Sequence, residues 1–214
     1  MRYVIIGNSA AAVGCIEGIR KHDKTGAITV ISSENYHTYS RPLISYLLYG
    51  KTTEQKMKYR PDSFYEDNKV TLLAGKRAAK IDNEKKQVVL EDGTEIPYDR
   101  LLIATGSDPF VPPIEGIDTV EKKFTFMSLD DAKELDKALS QKSRVLIMGA
   151  GLIGLKCAEG IAGKVKSITV VDMADRILSS ILNSEAASIV QWHIESKGIK
   201  FILSDSVVSF SPGK

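Results

Sequence analysis

Two runs of aliphatic and β-branched residues, RYVII before Gly7 and RVLIM before Gly149, each stop at a glycine and pass straight into a helix of small residues. A short apolar run of this kind belongs to a strand buried on both faces, hence to a parallel sheet covered by helices. The chain has two such βαβ openings, and their spacing is informative. The first glycine permits the tight bend, the second lets a pyrophosphate approach the backbone, and the third lets helix and strand pack closely. The helix N-terminus meanwhile presents N–H groups without intrahelical partners. Gly149, Gly151 and Gly154 meet all three requirements. The first copy has Gly7 and then Ser9 and Ala12, both small, with Ala10 and Ala11 opening the helix. About 20 residues on, an acid at the end of the next strand holds a ribose diol. Glu34 behind AITVISS and Asp172 behind ITVV stand in those places. The pattern points to two bound dinucleotides.

The rest of the chain divides around these turns. A strand at 2–6, a helix at 10–21 and a strand at 27–32 make the first βαβ unit, followed by a short helix at 43–49, a helical turn near 61–67 and a strand at 69–73. RAAKID and QVVLEDGTEI read as a three-stranded antiparallel meander, with Asp92-Gly93 as a type I′ hairpin turn. Residues 101–106 return to a buried strand, and Pro109, Pro112 and Pro113 mark a boundary. Ser128 and Asp131 predict a capping box for a helix at 129–140. A strand at 144–148, a helix at 152–163 and a strand at 167–171 repeat the plan. Asn183 or Ser184 caps a helix to 197 with Ile189, Trp192 and Ile194 on its core face, and GIKFIL begins a further strand. The expectation is an α/β fold of two Rossmann-like, three-layer domains with central parallel sheets, the first carrying the meander. Their bounds are 1–112 and 128–214 with a linker at 113–127, and the second sheet is expected to be incomplete within these residues.

Composition excludes several functions. Of the 214 residues, 43% are hydrophobic and 26% charged, the balance of an ordinary globular protein. A formal charge of +2 with scattered lysines leaves no footprint for nucleic acid. No apolar stretch reaches bilayer-spanning length, and Met1 runs into a strand with no room for a signal peptide. Cys15 and Cys157 cannot frame a set of disulfides and suit a reducing cytoplasm. The dispersed His22, His37 and His193 predict no metal site.

The segments ENYHTYSRPLISYLL, YDRLLIATGSDPFVPPIEG, VLIMGAGLIGLKCAE and VVDMADRIL together, and in this order, resemble the FAD-dependent pyridine nucleotide-disulfide oxidoreductase superfamily. The likeness is strongest to its cysteine-free branch, the rubredoxin and ferredoxin reductases and the flavin module of NAD(P)H nitrite reductases. It implies FAD in the first domain and NAD(P)H in the second. Carried over, Gly7, Ser9, Ala10 and Ala11 would cradle the FAD pyrophosphate and Glu34 its adenosine ribose. Arg41 and Pro42 would line the flavin side, Ala78 would meet the adenine through its backbone, and Ala104, Thr105 and Gly106 match the ATG motif beside FAD. Gly149, Gly151, Leu152, Ile153 and Gly154 would hold the NAD(P)H phosphates and Asp172 its ribose. The resemblance also implies further residues in the relatives: a segment gripping the flavin's ribitol, and an interface domain through which a homodimer forms.

Two departures shape the expected chemistry. Disulfide-reducing relatives carry a redox cysteine where this chain has SRPLISYLLYG, so thiol–disulfide exchange is disfavoured. Relatives have a Glu at the place of Lys156 and many a Lys at the place of Tyr46. Lys156 is therefore either the cation that tunes the flavin in place of position 46 or a lysine reaching for solvent. A carboxylate at 172 repels a 2′-phosphate by about 1–3 kcal/mol, partly offset by Arg176, which favours NADH over NADPH. The expected activity is hydride transfer from NADH to FAD and electron delivery to a small redox protein or fused redox module. The alternatives are an NADH oxidase reacting with oxygen, and a fragment that only binds or senses dinucleotides.

Overall fold

In the computed structural model, residues 1–211 are described. They run as β1 (Arg2–Ile6), α1 (Ala10–His22), β2 (Ala27–Ser32), α2 (Ile44–Leu48), α3 (Glu54–Met57), α4 (Phe64–Asp67) and β3 (Val70–Ala74). Then come β4 (Ala78–Asp82), β5 (Gln87–Leu90), β6 (Glu95–Pro97), β7 (Arg100–Ile103) and α5 (Leu129–Ala138). The last elements are β8 (Arg144–Met148), α6 (Leu152–Ile161), β9 (Ser167–Asp172), α7 (Ser184–Glu195) and β10 (Ile199–Leu203). The chain divides into two compact units: Met1–Ser40 with Glu54–Ser107, and Arg41–Thr53 with the chain from Asp108 onward. Segment 41–53, which contains α2, thus goes with the second unit.

In the first unit the sheet order is β3-β2-β1-β7, and all its ladders are parallel. Both faces of β1 are buried, which is why its sequence shows no polar alternation. Ile5, Ile28 and Val30 point to one face and pack with Ala12, Val13 and Ile16 of α1 and with Phe64 and Tyr65 of α4. Val4, Ile6 and Ile31 point to the other face, where Val88, Leu90 and Tyr98 of the antiparallel β4-β5-β6 meander cover them. The meander is as expected, but its β5–β6 turn is not type I′. Val89 pairs with Glu95, Leu90 N–H donates to Thr94 O and Gly93 N–H to Leu90 O, giving a three-residue loop. Only Gly93 takes a positive φ (82°), whereas type I′ demands it of Asp92 as well. The Asp92 carboxylate instead accepts from Thr94 N–H, fixing the loop by an Asx-type contact.

The second unit repeats the plan in a β10-β9-β8 parallel sheet. Ser128 accepts from Asp131 N–H while the Asp131 carboxylate accepts from Ser128 N–H, so the predicted capping box starts α5. Asn183 Oδ1 accepts from Ala186 N–H and starts α7. α2 packs on α5 and α6, close enough at Gly160 that an added Cβ would lie 3.0 Å from Ser45 O. Ile168, Val170 and Ile199 are buried on one sheet face, whereas on the other Leu146, Met148 and Ile202 remain exposed. The expected core face of α7 is corrected by the structure: Trp192 and Ile189 are each 70% exposed, and Ala187 is the residue that α7 buries. Helical periodicity identified an amphipathic helix correctly but could not say which stripe meets the sheet.

Candidate functional site

The first glycine turn is built by close approach. Gly7 N–H donates to Ile31 O, Ala104 N–H donates to Ile6 O, and a Cβ on Gly7 would sit 2.1 Å from Ala104 O. With φ at 114° as well, position 7 excludes any side chain. The ATG residues are thereby pinned to the turn: Ala104 is half-buried against the α1 face, while Thr105 and Gly106 are exposed just beyond. Ser9 is the N-cap of α1, but its hydroxyl makes no capping hydrogen bond. Ala10 and Ala11 are exposed in the first helical turn, where amides have no intrahelical acceptor, and Ala12 is fully buried beneath them. Glu34 accepts from the buried Tyr39 hydroxyl at 2.6 Å. Ala78 begins the meander, paired with Leu90 beside a register shift, with Arg77 O accepting from Glu91 N–H.

Sequence reasoning missed what braces this turn. Asn8 Oδ1 accepts from the Tyr65 hydroxyl at 2.7 Å, and Asn8 Nδ2 donates to Tyr36 O at 3.2 Å. Thr38 N–H donates to the same Tyr65 hydroxyl at 3.1 Å. Burial pushes the Tyr65 phenol above its ordinary value, so it stays a donor. Asn8 lies inside the fingerprint at a place the glycine spacing does not specify, and no local signal links it to a tyrosine so far along the chain.

The second turn follows the same logic with roomier chemistry. Gly149 has φ at 108° and donates to Val171 O. Gly154 packs so tightly that a Cβ would meet Gly149 O at 2.1 Å. Gly151, by contrast, has an unstrained φ of −77° and no atom within 4 Å of an added Cβ. Neither backbone nor packing requires glycine there, and the open space lies at the α6 N-terminus, where Leu152 and Ile153 are exposed. That is the cradle a phosphate needs. Asp172 Oδ2 accepts from Ala150 N–H at 2.6 Å and Oδ1 from Ala174 N–H at 2.8 Å, tying the turn to the end of β9.

The remaining candidates of this unit are placed as follows. Arg41 donates to Met127 O, and the Pro42 carbonyl accepts from the Ser45 hydroxyl. The Lys156 ammonium lies 4.4 Å from the Tyr46 ring centroid and pairs with Glu159. The structure thus brings the two departing positions together as a cation–π contact, with the charge partly compensated by Glu159. Arg176 donates to Leu182 O, Ser179 O and the Asp175 carboxylate, which uses three of its five N–H groups and pairs its charge, so the offset expected of it toward a 2′-phosphate is reduced in this arrangement. Cys157 is buried, and its thiol is pushed up to about 11 by desolvation, the environment of an inert structural cysteine. Among the described residues no group of His, Cys, Asp and Glu could hold a metal ion, and no helix is long and apolar enough to cross a membrane.

Two parallel sheets, each opening on a glycine turn and each with an acid at or just beyond the end of its second strand, define a protein of two dinucleotide-binding units. The family model described as pyridine nucleotide-disulphide oxidoreductase matches residues 1–214, and the chain belongs to that family. Its cofactors are FAD and NADH, and both turns fit them: one by the unspent Ser9 hydroxyl and first-turn amides, the other by the open cradle at Gly151. The chain is 34% identical to an NADH oxidase of Methanocaldococcus jannaschii over 95% of its own length and 47% of the relative's. It is 32% identical to the NADH-dependent phenylglyoxylate dehydrogenase subunit epsilon of Aromatoleum evansii, over 99% of this chain and 50% of that one. A crystal structure of a covalent putidaredoxin reductase–putidaredoxin complex superposes with a TM-score of 0.88 at 25% identity, over 99% of this chain and 52% of that one. The chain spans about half the length of these relatives.

Proposed function

We propose that the chain is the dinucleotide-binding part of an NADH-dependent flavoprotein reductase, with FAD at the first turn and NADH at the second. The observation that carries this is the duplicated turn: Gly7 and Gly149, both at positive φ, each bend a strand into a helix whose first two residues are exposed. When bound, FAD takes hydride from NADH and releases electrons to an acceptor. The protein's own work is binding and orientation. Ser9 and the amides of Ala10 and Ala11 hold a pyrophosphate, Glu34 a ribose, and the 104–106 segment the ligand's flank. Ala78 meets the adenine through its backbone. At the second turn Gly151, Leu152 and Ile153 hold phosphate. The Asp172 carboxylate, with Arg176 engaged elsewhere, favours the diol of NADH over the 2′-phosphate of NADPH. Lys156 belongs to the same reading as a tuner of the flavin, weakened by Glu159; a lower midpoint potential in Lys156→Met is its signature.

For the acceptor we favour a small redox protein. The segment from Ser40 to Gly50 has no cysteine to relay electrons, Cys157 is inert, and a structural neighbour is a reductase joined to putidaredoxin. Oxygen is the second reading, favoured by the likeness to an NADH oxidase. Two unpaired thiols suit a reducing cytoplasm. The test is to load the full chain with FAD, add NADH without air and follow loss of the flavin's visible band. Reoxidation is then timed with rubredoxin, with ferredoxin and with air. Rapid reoxidation by a redox protein supports the first reading and by air the second; protein that takes up no FAD, or that NADPH reduces faster than NADH, overturns the proposal.

A further inference from the structure

We propose that Tyr65 is a positioning residue for the first dinucleotide site, its hydroxyl setting the distance between the turn that takes the pyrophosphate and the segment that carries the ribose acid. The proposal rests on the FAD reading above.

The argument starts from what one hydroxyl joins. Tyr65 O–H donates to Asn8 Oδ1 in the turn at 2.7 Å, and the same oxygen accepts from Thr38 N–H at 3.1 Å. Asn8 answers with its other group, Nδ2 donating to Tyr36 O at 3.2 Å. An amide has one acceptor and one donor group, so these two partners fix which way Asn8 faces. The segment 36–38 is therefore fastened to residue 8 twice, directly and through Tyr65. Its two ends are also secured: Tyr39 O–H donates to the Glu34 carboxylate, and Gly75 N–H to Glu34 O. Glu34 and the glycine turn are thus two ends of one hydrogen-bonded frame.

The frame is stiff because Tyr65 cannot turn. Its ring is 9% exposed and is held edge-on by His37 at 4.8 Å and by Phe64 at 5.4 Å between centroids. The side-chain hydroxyl of Thr38 and Nε2 of His37 are buried without partners among the described residues, so these two groups add no anchorage of their own. A ligand spanning both ends needs them at a fixed separation, and misplacement by a fraction of an ångström weakens every contact at once.

The test is a titration of FAD into the full chain, read by quenching of flavin fluorescence, for wild type, Tyr65→Phe, Asn8→Ala and the double variant. Each single variant is expected to weaken FAD about tenfold, the effect of one lost hydrogen bond with its partner left unpaired. The double variant is expected to match Asn8→Ala rather than reach about a hundredfold, because the Tyr65–Asn8 bond is already lost in that single variant. NADH affinity, read at the other turn, stays at the wild-type value. Asn8→Ala, at the surface turn, carries the test if Tyr65→Phe does not fold. Wild-type FAD affinity in both single variants, additive losses in the double, or equal losses for FAD and NADH overturn the proposal. A wild-type chain that takes up no FAD overturns the FAD reading and this proposal with it.

Discussion

Gly151 and Gly154 lie in one turn of the same helix, and adding one methyl to each should have opposite consequences. At Gly154 the new Cβ would lie 2.1 Å from Gly149 O and 3.2 Å from its carbonyl carbon, where 3.4 Å is ordinary contact. The obstacle is backbone, so α6 must withdraw from the β8 turn by roughly 1 Å, an overpacking strain of about 2 kcal/mol. For a chain of this length that lowers the melting temperature by about 4–8 °C. At Gly151 the backbone already has φ −77° and ψ 179°, and nothing lies within 4 Å. Gly151→Ala should melt within about 2 °C of wild type, the small loss at an N-cap being offset by reduced freedom of the unfolded chain. It should nevertheless weaken NADH by at least tenfold, or about 1.4 kcal/mol, because the methyl fills the space a phosphate must enter. Thermal melts by circular dichroism and NADH titration by fluorescence measure both effects. A Gly151→Ala protein that melts as early as Gly154→Ala, or binds NADH like wild type, refutes the assignment of the open cradle.

Three further outcomes are expected. The Arg2 guanidinium and amide hold the Asp99 carboxyl at about 2, below the usual carboxylate range, so this ion pair stabilises the fold above about pH 4 and loses that effect as pH falls through about 2. Asp99→Asn should therefore flatten the acid limb of stability against pH, and an unchanged limb counts against the pair. Cys157, pushed up to about 11, should not react with a thiol reagent at pH 8 until the protein is unfolded; labelling at the rate of a free thiol in the native state contradicts its burial. Trp192, the only tryptophan, should emit as a solvent-exposed indole and be readily quenched by acrylamide, whereas blue-shifted, protected emission would restore the core face read from periodicity.

The strands and glycine turns were legible because they depend on local composition: an apolar run of five residues ending in glycine has few alternatives. The Ser128–Asp131 capping box was legible for the same reason, its partners lying three residues apart. The hairpin shows the limit. Asp92-Gly93 located the turn, but its type depended on whether Leu90 or Val89 opened the loop, a matter of register with β6. The side of α7 that meets the sheet, the placing of segment 41–53 and the Asn8–Tyr65 contact are long-range results. Each joins residues far apart in the chain, and neither spacing nor propensity encodes such a meeting. Ser9 and Ala12 depart from the glycines of the full fingerprint, and the packing explains them. Ala12 is fully buried without displacing anything, and Ser9 occupies the place where Gly151 stands in open space.

Asp172 has a consequence for anyone redesigning the second unit. The same carboxylate that would recognise a ribose also staples two backbone amides, Ala150 N–H and Ala174 N–H, across the mouth of the turn. Cofactor preference and loop integrity are therefore not separable traits at this position. A swap to a residue without an acceptor, such as Ala, aimed at admitting a 2′-phosphate leaves two partly buried amides searching for acceptors, and the first symptom would be a loosened turn that binds either nucleotide poorly. Retargeting this unit should begin by building a substitute acceptor for Ala150, and only then by changing the acid.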